Sequence, residues 1–97
     1  MNTDRSTAEG WIYEAVRVVF NFSSSNTGHY NNGIIGIYDE SNGNSRVYYR
    51  ENAGALNGVS LDLDRSHTYR VYIRNGGGYG YNCTFDGTCY YSWLKHP

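Results

Sequence analysis

Arg70, Tyr72 and Arg74 alternate along one short segment, and that spacing makes them candidates for binding chemistry. Residues two apart on a strand share a face, so two guanidinium groups would flank a phenol on one surface. A guanidinium carries a planar fork of donors, and a phenol carries a flat π face with a hydroxyl. Together they can grip planar or anionic groups, or the faces and hydroxyls of sugar rings. Solvated sheet faces are built from the same residue types, so the pattern by itself marks a candidate and no more. Tyr90, beside Asn82, is a further exposed aromatic, and Phe85 sits at an expected hairpin tip. These five are the ligand-binding candidates.

The tip rests on Cys83 and Cys89, which flank Thr-Phe-Asp-Gly-Thr. A loop of Phe85, Asp86 and Gly87, with Gly87 supplying a left-handed position, sets the cysteines across from each other and predicts a disulfide. Closing so short a loop contributes roughly 2 kcal/mol in the chain-entropy view. The same register puts Tyr79, Tyr81, Tyr91 and Trp93 on one face and Gly80, Asn82, Thr84, Thr88, Tyr90 and Ser92 on the other. So polar an opposite face makes the aromatic one better suited to a core than to stacking sugars. Paired cysteines also point to an oxidising compartment, hence to a secreted or extracytoplasmic protein. Met1 to Gly10 has neither the basic segment nor the apolar stretch of a signal peptide, so the expectation is that a signal sequence has been removed.

Catalytic and metal-binding patterns are thin. His29 falls in a polar loop, His67 at a strand entrance and His96 beside the C-terminus, none next to a nucleophile. A small hydrolase would have to gather Glu51, Arg50, His67 and His29 in space, and the expectation is a non-enzyme without cofactor. Asp39 to Asn44 begins like a calcium loop, but Asn44 and Arg50 stand where an EF-hand needs glycine and a carboxylate. Asp62 and Asp64 share one parity, as solubilising carboxylates on a wet strand edge do. Two cysteines without a histidine pair make no zinc site.

The elements that position these residues follow from a period of two. Val59, Leu61 and Leu63 alternate with Ser60, Asp62 and Asp64, and Tyr69, Val71 and Ile73 alternate with Arg70, Tyr72 and Arg74, so two half-buried strands are expected. Two connections fit them. A three-residue hairpin loop would set Leu63 against Tyr69 and Asp62 against Arg70. A crossover between stacked sheets would instead use Tyr69 as a corner: Leu63, followed by Tyr69 and Val71, resembles the tyrosine corner of immunoglobulin-like and fibronectin type III sandwiches. The resemblance covers about ten residues, Val71 occupies the place of the second immunoglobulin cysteine, and it implies a phenol oxygen capping backbone at a sheet-to-sheet bend.

Elsewhere, Trp11 to Phe22 reads as a central strand, with Glu14 breaking its parity. Asn21 to Asn32 is a loop by composition. Asn42-Gly43 predicts a hairpin placing Asp39 opposite Arg46, Tyr38 opposite Val47 and Ile37 opposite Tyr48. Residues 1–10 are expected to be a flexible segment ahead of a single β domain, 11–97.

Composition bounds the partners. The chain has 97 residues, eight basic and nine acidic, which disfavours a nucleic-acid partner held through phosphates. No apolar run reaches the length of a membrane span. Eleven tyrosines suit strands that are half buried with their hydroxyls in water. The fold expected is an all-β antiparallel sandwich or partly closed barrel of six to eight strands, with one disulfide-bridged C-terminal hairpin. The function expected is recognition of a carbohydrate or another cell-surface component. The rivals are an effector (an inhibitor or antimicrobial protein) that uses the tip against a protein target, and an assembly subunit with an open edge strand.

Overall fold

The computed structural model describes residues 1–3, 6–25, 33–76 and 81–90, together with the backbone of 93–95. Among these, nine strands form two antiparallel sheets: β1 Asn2–Thr3, β2 Thr7–Tyr13, β3 Arg17–Ser24, β4 Ile34–Asp39, β5 Ser45–Arg50, β6 Ala55–Asp62, β7 Thr68–Arg74, β8 Cys83–Tyr90 and β9 Trp93–Lys95. One sheet has the order β1-β8-β3-β6 and the other β5-β4-β7-β2-β9. Nine strands exceed the six to eight expected because β1 and β9 are edge strands of two and three residues. The sheets stay separate, so the architecture is a sandwich and not a closed barrel.

Alternation builds the core. Ile12 on β2, Val18, Phe20 and Phe22 on β3, Ile35 and Ile37 on β4, and Tyr69, Val71 and Ile73 on β7 are all buried between the sheets. Phe20 reaches across the gap to Tyr48 of β5, edge to face at 5.4 Å. The stretch 11–22 is two strands rather than one: Glu14 takes a left-handed φ of 55°, and the chain leaves the five-stranded sheet there and enters the other. That bend is why Glu14 broke the parity. Within residues 1–10, expected to be loose, Asn2 and Thr3 lie against Thr84 and Cys83, and Thr7 to Gly10 run along Arg74 to Val71.

Between β6 and β7 the crossover reading holds and the hairpin does not. β6 pairs with β3 in one sheet, and β7 lies between β4 and β2 in the other. Tyr69 is 4 % exposed, and its hydroxyl accepts the Asp64 backbone N–H at 2.7 Å. The two corners are joined, because the Leu63 N–H donates to the Val16 carbonyl at 3.0 Å and the Val16 N–H to the Tyr90 carbonyl at 3.2 Å.

The turn between β4 and β5 is longer than Asn42-Gly43 alone requires. Asp39 caps a 3-10 turn, Glu40–Asn42, and positive φ falls on Gly43 and Asn44. Ile37 faces Tyr48 as expected, but Tyr38 faces Arg46 and Asp39 faces Ser45, the register shift leaving Val47 as a bulge.

The C-terminal hairpin tip and the disulfide are corrected. Residues 83–90 form one continuous strand, paired with β3 from Ser24↔Cys83 to Arg17↔Tyr90. Cys83 and Cys89 are free. Six residues apart on one strand, they are separated by about 20 Å, and a disulfide needs Cα atoms within about 7 Å. Asp86-Gly87 is therefore no turn. Phe85 is fully buried, stacked on Phe20 at 5.0 Å, and its ring lies over Gly87, where an added Cβ would come within 2.7 Å of Cε1. Glycine is needed here for close approach rather than for a left-handed bend. Of the aromatic face expected on this hairpin, Tyr79 and Tyr91 lie outside the described residues.

Two outcomes follow. Tyr69→Phe leaves the Asp64 amide without its acceptor and is expected to cost about 1–3 kcal/mol in denaturant unfolding, with Tyr38→Phe as a control near zero. Phe85→Ala is expected to cost about 3–5 kcal/mol, whereas adding a thiol reductant leaves the wild-type melting temperature unchanged.

Candidate functional site

The outer face of the five-stranded sheet collects the chemistry. Along β7, Arg70, Tyr72 and Arg74 alternate with buried Val71 and Ile73, so three of the five predicted binding residues share this face. Pairing adds residues from three further strands. Trp11 lies opposite Arg70 and Glu9 opposite Tyr72 on β2, with Tyr13 one step further out. On the other side, Tyr38 and Gly36 of β4 lie opposite Arg70 and Tyr72, and beyond them come Arg46 and Tyr49 of β5.

Charge on this face is compensated locally. Arg70 Nη1 donates to Glu9 Oε2 at 3.0 Å, and its Nε stands 3.4 Å from Glu40 Oε2. The same guanidinium lies over the Tyr38 ring at 4.7 Å, a contact of about 0.5–1 kcal/mol at an exposed site. Tyr38 can lie down on the sheet because Gly36 leaves the space: a Cβ there would sit 2.8 Å from its Cε2. Arg46 covers Tyr49 at 3.9 Å, and the Tyr49 hydroxyl donates to Glu51 at 3.0 Å. Burial, with Glu51 beside it, pushes the Tyr49 phenol pKa up. Trp11, Tyr13 and Tyr72 are half-buried, and among the described residues none has its ring covered by a cation or stacked on another ring.

The remaining candidates lie elsewhere. Tyr90 is on the outer face of the four-stranded sheet, opposite Arg17, whose guanidinium is 4.3 Å from its ring centroid. Phe85, expected at an exposed tip, is in the core between the sheets. Trp11, Tyr13 and Glu9 were not singled out from the sequence. The signal available there was the alternation of Trp11 and Tyr13 around Ile12, which became a face only through pairing with β7.

A second cluster sits where the Glu40–Asn42 turn meets the crossover between β6 and β7. His67 Nδ1 is 2.7 Å from Asp39 Oδ2 and its Nε2 is 3.4 Å from Asp64 Oδ2. The Asp39 carboxylate is nearly buried and also accepts the Ser41 N–H at 3.1 Å, while Ser41 Oγ accepts the Thr68 N–H at 2.9 Å. Asp64 Oδ1 accepts both the backbone N–H and the hydroxyl of Ser66, at 2.9 and 2.7 Å, which pulls its carboxyl pKa down. The hydrogen bond to Asp39 pushes the His67 imidazole up. Both ring nitrogens face carboxylates, and Ser41 and Ser66 spend their oxygens on the loops, so the cluster is built as a clamp between two turns.

Glu51 and Arg50 are not brought to this histidine. Arg50 pairs with Ile35, four residues along β4 from Asp39, roughly 13 Å away by strand rise. His29 and His96 lie outside the described residues. Among the described residues, no group of three or more His, Cys, Asp or Glu side chains is arranged to hold a metal ion, Asp62 and Asp64 included. Among the described residues, no helix is long and apolar enough to cross a membrane. Burial raises the Cys83 thiol to about 11. With both thiols free, the argument from paired cysteines to an oxidising compartment no longer stands.

Neither a protein-family model nor a curated protein matches this chain. The fold is that of a two-sheet antiparallel sandwich with a tyrosine corner, and the function must be argued from its surfaces.

The clamp has a pH signature. Because the folded imidazole titrates above its unfolded value, its stabilisation is complete below about pH 6.5 and is lost as pH rises through the raised value. The melting temperature is expected to fall between mildly acidic and mildly alkaline pH, and His67→Asn to remove most of that dependence, as scanning calorimetry would measure.

Proposed function

We propose that the protein is a recognition module that binds carbohydrate on the outer face of its five-stranded sheet. The observation that carries this reading is the asymmetry between the two outer faces. Apart from Val19 and the Arg17–Tyr90 pair at one end, one bears Asn21, Ser23, Ser60, Asp62, Thr84, Asp86 and Thr88, short polar side chains with little surface for stacking. The other bears Trp11, Tyr13, Tyr38, Tyr49 and Tyr72 interleaved with Arg46, Arg70 and Arg74. Aromatic faces stack on the C–H faces of pyranose rings, and neighbouring guanidinium and carboxylate groups take the ring hydroxyls. A flat sheet surface matches an extended chain of sugars better than a deep cavity would.

The rival readings lose physical support. An effector that inserts a rigid tip needs a disulfide-held loop around Phe85, and that stretch is a buried strand. An assembly subunit needs an open edge strand, and the two long edges are both interrupted: β5 has a bulge at Val47 beside Arg46, and β6 breaks register with β3 around Asn57 and Gly58, where the Gly58 N–H turns to the Asn21 side chain, features that discourage strand addition.

A glycan array followed by titration calorimetry tests the reading. Tyr72→Ala and Arg70→Ala are each expected to weaken binding by about tenfold, a loss of ~1.4 kcal/mol. Tyr90→Ala, on the opposite face, is expected to leave it unchanged. Equal loss from Tyr90→Ala and none from Tyr72→Ala would move the site to the other sheet.

A further inference from the structure

The carbohydrate face also carries information about the charge of its ligand. Resting on the reading of that face as a sugar surface, we infer that the ligand is an uncharged glycan chain seated on Tyr72, Trp11 and Tyr13, with the Arg70–Glu9 pair reading its hydroxyls. Two observations lead there. The first concerns which rings have no cation over them among the described residues. Tyr38 and Tyr49 each have a guanidinium over one face, at 4.7 and 3.9 Å. Tyr72, Trp11 and Tyr13 have no such cover among the described residues, and their positions neighbour one another, with the backbone of β9 running beside Trp11 and Tyr13. Trp11 and Tyr13 are two apart on β2, about 7 Å, and Tyr72 is the diagonal neighbour of Trp11 across the β2–β7 pairing, about 7–8 Å away. Regularly spaced platforms of this kind suit a linear chain that repeats its ring.

The second concerns charge. The guanidinium beside these rings, Arg70, is held by two carboxylates, Glu9 at 3.0 Å and Glu40 at 3.4 Å. Arg46 has Glu51 two contacts away, through the Tyr49 ring and its hydroxyl. Three acids therefore stand among three arginines, and of these Arg70, the one beside the rings, is the one in an ion pair among the described residues, Arg46 and Arg74 having none. A polyanion laid along these rings would meet Glu9 directly and would have to displace it from Arg70. A sugar hydroxyl meets no such conflict, because it donates to a carboxylate and accepts from a guanidinium at once. A guanidinium–carboxylate pair next to an aromatic platform thus selects for a polyol and against a uronate or sulfate.

The test uses the whole chain and two probe sets, neutral polysaccharides (xyloglucan, galactomannan and mixed-linkage glucan) and anionic ones (polygalacturonate, alginate and heparan sulfate), measured by affinity electrophoresis and calorimetry. Expected are binding to at least one neutral probe, little change between 50 and 500 mM salt (on the order of twofold) as fits an uncharged ligand, loss of about tenfold or more in Trp11→Ala, and retention in Trp11→Phe. Circular dichroism and a melting curve on each variant separate loss of contact from loss of fold. Glu9→Gln discriminates most sharply: it is expected to weaken a neutral ligand several-fold, whereas an anionic ligand would bind more tightly once the carboxylate is gone. Binding confined to the anionic set, falling with salt and strengthened by Glu9→Gln, overturns this inference and leaves the carbohydrate reading standing. Binding to neither set overturns both.

Discussion

The hydrogen bond from the Asp64 amide to the Tyr69 hydroxyl stands at the point where the chain leaves one sheet for the other. A sandwich requires its strands to bury one face each, and a chain that changes sheets must turn its backbone through a region where the ladder cannot satisfy the amides. Tyr69 meets that requirement from the core side, its ring buried and its oxygen reaching the bend. The neighbouring corner at Glu14 to Val16 is tied to it by the Leu63–Val16 hydrogen bond, so two of the places at which the polypeptide switches layers are held together. His67 adds a third tie, drawing the crossover onto Asp39 and the 3-10 turn.

That arrangement decides what the outer faces can be. With β7 locked between β4 and β2, its wet residues become the central row of a five-stranded surface, and Arg70 finds partners on β2 and on the turn after β4. Each ion pair is partly exposed to solvent and worth little by itself. Their effect is to orient guanidinium groups over rings and to leave the face close to neutral. A single unpaired arginine on a wet strand could serve many anions; one fixed between two acids and a phenol presents donors and acceptors in a set direction.

Close packing of glycine against aromatic rings recurs on both sides of the sandwich. Phe85 lies over Gly87 in the core and Tyr38 over Gly36 on the outer face. In both cases the aromatic and the glycine are two apart on one strand, so the missing Cβ supplies the room for a ring to lie along the sheet. This is a packing role for glycine that turn chemistry does not anticipate.

Alternation in residues 59–63 and 69–73 was enough to establish two half-buried strands and to put Arg70, Tyr72 and Arg74 on one wet face, because side-chain direction along a strand is a local property with period two. The Ile37–Tyr48 pairing was legible for a similar reason, since a short turn limits the registers available. What only the tertiary structure decided depends on partners distant in the chain. Arg70 and Glu9 are 61 residues apart and meet only because β2 and β7 are neighbours. Asp86-Gly87 has the local chemistry of a turn, yet pairing along all of β3 and burial of Phe85 outweigh it and hold the two cysteines apart. A hydrophobic ring removed from water and a full ladder of backbone hydrogen bonds stabilise more than a two-residue turn preference can, and neither is visible until both sheets are assembled.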